Sequence, residues 1–197
     1  MNDGKIYDND IKSIINYAKA KCKIGKKSYT NDVVMQGLGT SKDLYKIESG
    51  ETPVEKFEFD RILHRLGVCA DIVEILITDE DWERYCDRMQ IYEYYYEENY
   101  REMENAILSY KEKTKQLSRI HKQFAEVMQA KMMFQTGKDF RQIFHVLKSA
   151  LELTVVDWEE ANPEERCLAP EELEIIILMA RCYRKQGYHR KAMQLLE

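Results

Sequence analysis

The chain has 197 residues, of which 30 are Lys or Arg and 35 are Asp or Glu, giving a formal net charge of −5. Hydrophobic residues make up 44% and charged residues 33%, a composition that folds and stays soluble rather than remaining disordered. Eight Gly and three Pro are too few to punctuate a many-stranded sandwich or barrel, so an all-α chain is expected.

The most apolar run, Ile175-Ile176-Ile177-Leu178-Met179-Ala180, is far shorter than the ~20 residues of a membrane span. The opening Met1-Asn2-Asp3-Gly4-Lys5 has no basic segment leading into an apolar one, so neither a signal peptide nor a membrane partner is expected. Five cysteines (Cys22, Cys69, Cys86, Cys167, Cys182) without a Cys-x-x-Cys pair argue against a zinc ribbon or a disulfide framework and for a cytoplasmic setting. Cys22, Cys69 and Cys182 sit among apolar residues and read as small core side chains.

Charge divides the chain. Residues 1–75 hold 12 basic and 12 acidic residues, whereas the remainder holds 18 and 23, so the whole acidic excess is C-terminal. Lys19, Lys21, Lys23, Lys26 and Lys27 cluster in the neutral half, either as a solvated helix end or as a basic patch.

The elements of that half carry explicit starts and stops. Ile11, Ile14, Ile15, Ala18 and Cys22 recur at helical spacing and predict a helix over 8–23. A short helix over 30–36 turns Val33 and Val34 inward, and Gly37-Leu38-Gly39 interrupts it. Thr40-Ser41-Lys42-Asp43 has the form of a capping box, after which Leu44 and Ile47 face inward until Gly50. Thr52-Pro53-Val54-Glu55 predicts a second capping box. Phe57, Phe59, Ile62, Leu63 and Leu66 follow at helical period, and Gly67 closes that helix. A fifth short helix is predicted over 69–77. Two helices joined by a glycine turn have the geometry of a helix-turn-helix. Thr40, Ser41, Lys42, Tyr45 and Lys46 then form the free face of its second helix.

Gly37-Leu38-Gly39-Thr40-Ser41-Lys42-Asp43-Leu44-Tyr45-Lys46-Ile47-Glu48-Ser49-Gly50 resembles the core of XRE-type, lambda-repressor-like helix-turn-helix domains. Ile47-Glu48-Ser49-Gly50 stands where those domains end the recognition helix, and Arg65-Leu66-Gly67-Val68 where they close the fourth. Over residues 10–76 the chain is similar to the RNPP group of Gram-positive bacterial regulators, the Rgg and PlcR relatives, which join such a domain to tetratricopeptide-like helices. The resemblance implies an N-terminal DNA-binding domain over 1–76 and helical repeats over 77–197. It further implies double-stranded DNA as partner, a homodimer, and a short signalling peptide as in quorum sensing. Lys42 and Lys46 would contact phosphate or guanine, Asn31 and Ser41 would hydrogen-bond, and Lys26 and Lys27 would neutralise backbone charge. Three positions depart from the pattern: Thr30-Asn31 stands for the usual Thr-Gln, Asp43 adds a negative charge, and Tyr45 is bulkier than usual.

Beyond residue 78 the chain reads as paired helices. Thr78-Asp79-Glu80-Asp81 caps a long helix carrying Trp82, Tyr85, Met89, Tyr92 and Tyr96, and a second carries Tyr100, Met103, Ile107 and Tyr110. Another pair spans 117–136 and 139–154, and a third spans 170–186 (Leu173, Ile176, Ile177, Ala180, Tyr183) and 188–197. Tyr100, Phe140 and Tyr188 align as an internal repeat at intervals of 40 and 48 residues, with Met103, Ile143 and Lys191 following. The third repeat stops within its second helix, so the array is expected either to continue past Glu197 or to be covered at that end by another subunit. Tyr92, Tyr94, Tyr95, Tyr96 and Tyr100 either cement helix pairs or line a peptide-gripping surface, and Tyr94 or Tyr95 is expected to face outward.

His64, His121, His145 and His189 are scattered without metal-ligand spacing, and no nucleophile, P-loop or dinucleotide motif is present. No catalytic residue, metal or cofactor is therefore expected. A transcriptional regulator is the leading reading. Its alternative is a protein-interaction module whose helix-turn-helix has lost DNA.

Overall fold

A computed structural model describes residues 8–21, 23–24, 27–69, 78–156, 158 and 167–196. The described chain is all-α apart from a minimal antiparallel ribbon, β1 (Lys23–Ile24) with β2 (Lys27–Ser28). Two compact units are present: Met1–Trp82 with Glu159–Pro170, and Glu83–Trp158 with Glu171–Glu197. The predicted helix over 69–77 lies outside the described residues, except for Cys69.

In the first unit, α1 (Asp8–Lys21), α2 (Asn31–Met35), α3 (Ser41–Glu48) and α4 (Lys56–Arg65) enclose one core. Ile11, Ile15 and Ala18 of α1, Leu44 and Ile47 of α3, and Phe59, Ile62, Leu63 and Leu66 around α4 are all buried there. Helix α2 buries Val34 and Met35, with Val33 only half-buried, so its inward face is displaced by one residue from the expected one. Gly37, at φ 71°, turns the chain out of α2.

Helix α4 starts later than the Thr52 capping box predicts. Its N-cap is Glu55, which makes no side-chain cap bond, while Thr52 and Pro53 are exposed. Val54, just ahead of the cap, and Phe59, four residues into the helix, share the core cluster, the placing of a hydrophobic staple. Burial of Val54, not a hydroxyl cap, sets the entry of α4. The C-terminus follows prediction: Val68 N donates to Leu63 O at 3.0 Å and Gly67 N to His64 O at 3.0 Å, the Schellman pairing. Cys69 lies just past that turn and is exposed, not in the core, whereas Cys182 is buried as expected. Cys22 falls outside the described residues.

The second unit is built from α5 (Asp79–Tyr96, whose first turn belongs to the first unit), α6 (Tyr100–Lys113), α7 (Arg119–Gln135), α8 (Phe140–Glu152), α9 (Pro170–Lys185) and α10 (His189–Gln194). Thr78 and Asp81 form a reciprocal capping box at the start of α5: Asp81 N donates to Thr78 Oγ1 at 3.1 Å and Thr78 N to Asp81 Oδ2 at 3.4 Å. Ile91, Met103, Ile107, Tyr110, Ala125 and Met128 make a core shared by α5, α6 and α7. Of the aromatic stripe expected on α5, Trp82, Tyr85, Met89 and Tyr96 are exposed, and Ile91 is the apolar residue this helix buries. Tyr92, Tyr94, Tyr95 and Tyr100 pack half-buried against that core, and Tyr96 is the ring that faces outward. In α9 the inward line is Ile175, Ile176, Met179 and Cys182, while the expected core residues Leu173 and Ile177 are exposed.

The repeat register is also corrected. Helices α6, α8 and α10 begin at Tyr100, Phe140 and His189, and the residues each buries three positions on are Met103, Ile143 and Ala192. Tyr188 is the N-cap of α10, one position before the place predicted for it. The turn from α9 to α10 is one residue shorter than that from α7 to α8, which a purely aromatic alignment hides.

Candidate nucleic-acid interface

The interface expected from the sequence lies on α3, so its geometry begins with what holds α3 in place. Thr40 is the N-cap: Asp43 N donates to Thr40 Oγ1 at 3.3 Å, and Thr40 N donates to Asp43 Oδ2 at 2.9 Å. The Thr40 hydroxyl also donates to Asp43 Oδ2 at 2.8 Å. These side-chain and backbone bonds from Thr40 hold the Asp43 carboxyl below the usual range, with Lys46 adding to the effect. A Cβ on Gly39 would stand 3.2 Å from both Asp43 Oδ2 and Met35 Cε. The absent side chain therefore lets the turn approach the capping box closely. The other end of α3 closes as a Schellman motif, with Glu51 N donating to Lys46 O at 2.9 Å and Gly50 N to Ile47 O at 3.2 Å.

Three contacts brace the motif from behind. The Ser41 hydroxyl donates to the Asp32 carboxylate, joining α3 to α2. Lys19 of α1 pairs with Glu48 of α3. Arg65 of α4, itself buried, donates through Nη1 to Val34 O at 2.8 Å and to Gln36 O at 2.7 Å. The last carbonyls of a helix have no partner within it, and Arg65 satisfies two of them at the end of α2. Sequence reasoning placed Arg65 in a closing motif and missed this role. A charged residue inside the apolar series Ile62, Leu63, Leu66 was the available signal.

With Leu44 and Ile47 buried beneath, α3 presents Lys42, Tyr45 and Lys46 on its outer face. Tyr45 is 65% exposed. Of the expected site residues, the structure brings Thr40, Ser41, Lys42, Tyr45 and Lys46 onto one short helix and its cap, but gives Thr40 and Ser41 bonding partners within the motif. Asn31 is the first residue of α2 and is half-buried. Lys27 lies on β2, and Lys26 falls outside the described residues. Acidic groups also gather at this end: Asp32 and Asp43 flank the start of α3, and the Glu58 carboxyl is pushed up by burial and then by Glu55 and Asp43.

No protein-family model matches the chain, and no curated protein matches it either. A solved structure does. It is the crystal structure of Bacillus thuringiensis PlcR in complex with the peptide PapR7 and DNA, at 16% identity and a TM-score of 0.42. The match covers 95% of this chain, which spans 62% of that one.

Elsewhere, among the described residues, no group of three His, Cys, Asp or Glu side chains could hold a metal ion, and no helix is long and apolar enough to cross a membrane. The second unit contains two buried polar links. Tyr110 Oη and His121 Nδ1 lie 2.5 Å apart, and Arg88 Nη1 donates to the same phenol at 3.4 Å. Gln123 Nε2 donates to Thr154 Oγ1 at 2.7 Å, and Thr154 donates onward to Glu172 Oε1 at 2.6 Å. These links tie α5, α6 and α7 together, and α7, the α8 end and α9. Buried polar groups satisfied in this way specify which helices meet.

Proposed function

We propose that the chain is a DNA-binding transcriptional regulator, not an enzyme, that it works in the cytoplasm as a homodimer, and that its helical repeats (77–197) accept a short peptide. The observation that carries the reading is the braced α3, whose outer face offers Lys42, Tyr45 and Lys46 while its inner face and both ends are satisfied. A helix fixed in this manner can enter a major groove as a rigid body. Its two lysines then neutralise phosphates or meet guanine edges, and Asn31 and Lys27 stand close in sequence for backbone contacts. The N-terminal unit (1–76) carries this interface, and the net charge of −5 is no obstacle because association follows the local field of the contacting face. Tyr96, 77% exposed on α5, supplies aromatic area suited to a peptide. The test is fluorescence anisotropy of the full chain with pooled duplex DNA at low salt, comparing wild type with Lys42→Ala/Lys46→Ala. Saturable, salt-sensitive binding that the double variant loses supports the reading, and equal binding by both removes α3 from it.

The acidic groups favour a second reading. Asp32, Asp43, Glu55 and Glu58 surround the start of α3, where phosphates would approach, as expected of a protein-interaction module that has lost DNA binding. Absence of binding even at low salt, with the fold intact by circular dichroism, selects this reading.

A further inference from the structure

We propose that the connector from α8 to α9 is a strap that couples the second unit to α3, its base pinned by Thr154 and Glu172 and its docked end, Cys167, set on the residue that braces α2. The consequence for DNA rests on the reading above, whereas the strap itself does not.

The connector is longer than the array needs. Schellman turns at Glu98, Gly137 and Gly187 join α5 to α6, α7 to α8 and α9 to α10 in three or four residues, and α6 reaches α7 in five. Helix α8 reaches α9 in seventeen. A connection of that length within a packed helical array generally has a function of its own. The chain leaves the second unit after Trp158, belongs to the first over Glu159–Pro170, and re-enters the second at Glu171.

The base of this excursion is closed in the second unit. Thr154, just past α8, donates to Glu172 Oε1 in the first turn of α9 at 2.6 Å and accepts from Gln123 Nε2 of α7 at 2.7 Å. All three side chains are buried. A loop whose ends are held together moves as one body, and the buried Thr154–Glu172 bond fixes where α9 begins relative to the end of α8.

The docked end lies in the first unit. The buried Cys167 thiol donates to Arg65 O. Arg65 is the last residue of α4, so its carbonyl has no partner within that helix. The guanidinium of the same residue holds Val34 O and Gln36 O at the end of α2. Through Arg65 alone, Cys167 therefore reaches the turn that leads into α3.

Nothing between dock and base acts as a hinge. Ala169 is fully buried, Pro170 is the first residue of α9, and a residue before proline is confined to extended backbone. The boundary between the units falls inside the first turn of α9, whereas boundaries that permit free movement fall in flexible linkers. A shift of α9 against α8 is thus passed to Arg65 instead of being absorbed on the way.

Amide hydrogen exchange of the full chain, without DNA, reads the strap at Leu38 and Gly39, which donate to Met35 O at the turn out of α2. Thr154→Val opens the base in the second unit and is expected to speed exchange at both amides about tenfold. Met128→Ala, in the core of α5, α6 and α7, should leave them unchanged. In a Cys167→Ala background Thr154→Val should add nothing further, while Cys167→Ser, which keeps a donor to Arg65 O, should preserve the response. Unchanged amides in Thr154→Val overturn the strap, and an equal response to Met128→Ala overturns it too, because the units would then open as one block. Additive effects of Thr154→Val and Cys167→Ala, or loss of the response in Cys167→Ser, overturn the route through the Cys167 bond. Anisotropy with pooled duplex DNA reads the consequence: Thr154→Val should weaken binding about threefold or more. Wild type that binds no DNA overturns the regulator reading and leaves the exchange result standing. Coupled exchange with unchanged DNA affinity overturns control of α3 by the strap.

Discussion

Arg65 holds Gln36: the guanidinium on α4 donates to the carbonyl at the end of α2 across 2.7 Å, and to Val34 O across 2.8 Å. Both acceptors belong to the last turn of a five-residue helix that could not persist alone. Arg65→Met should leave these carbonyls without their donor and cost about 2–4 kcal/mol of stability. Arg65→Lys should recover part of the loss, because an ammonium lacks the planar fork. Urea denaturation gives the magnitude. Amide exchange at Leu38 and Gly39, which donate to Met35 O at 2.9 Å, should speed up most, and unchanged exchange there would remove Arg65 from the bracing of the turn.

The exposed lysines of α3 make a separate prediction. If Lys42 and Lys46 each meet a phosphate, replacing both with Ala should lower the slope of log affinity against log salt by about 1–2 and weaken binding at low salt about tenfold or more. Thermal stability should hardly move, since both side chains are exposed. A melting temperature that drops with the affinity would point to damage to α3 rather than loss of contacts.

Glu98 is the one non-glycine residue with positive φ among the described residues. Its counterparts Gly137 and Gly187 carry no such penalty, whereas an L-residue in the left-handed region costs about 1–2 kcal/mol. Glu98→Gly should therefore stabilise the chain, by up to about 1 kcal/mol once the greater freedom of glycine in the unfolded chain is subtracted. Differential scanning calorimetry should show a rise of a few degrees, and a fall would mean that Glu98 makes a compensating contact.

The Tyr92 phenol is pushed up to about 12 by burial, with Glu174, Tyr96 and Glu171 adding to the shift. Because the folded value lies above the unfolded one, this stabilising term is complete below about pH 10 and is lost as pH rises toward 12. Tyr92→Phe should flatten the alkaline loss of stability in that window by about 1–2 kcal/mol. Its effect near neutral pH should be small, since the ring and its contact with Phe124 at 5.6 Å are retained. Identical alkaline unfolding curves for the two proteins would sink this assignment.

Helix ends were the most legible part of the fold. Thr40 with Asp43, Thr78 with Asp81, and the glycines at 50, 67, 137 and 187 act through bonds within a few residues, so the chain spells them locally. Thr52 failed as a cap because Val54 had a core to enter, and no local pattern records that. The candidate interface was legible as residue types and not as roles. Lys42, Tyr45 and Lys46 stand on the outer face of α3, but Ser41 is bonded to Asp32, and Arg65 braces the motif across 29 residues of chain.

The sequence by itself therefore determined that the chain is helical, where most helices begin and end, and that the acidic excess is C-terminal. Those properties are set by short-range bonds, backbone freedom and composition. Only the tertiary structure decided that Ile91 and not the aromatic stripe is the buried residue of α5, that Ile177 is bare while Val127 is covered, and that Arg65 is a brace. Each of these depends on which element arrives opposite a side chain, and burial is a property of that encounter rather than of the residue.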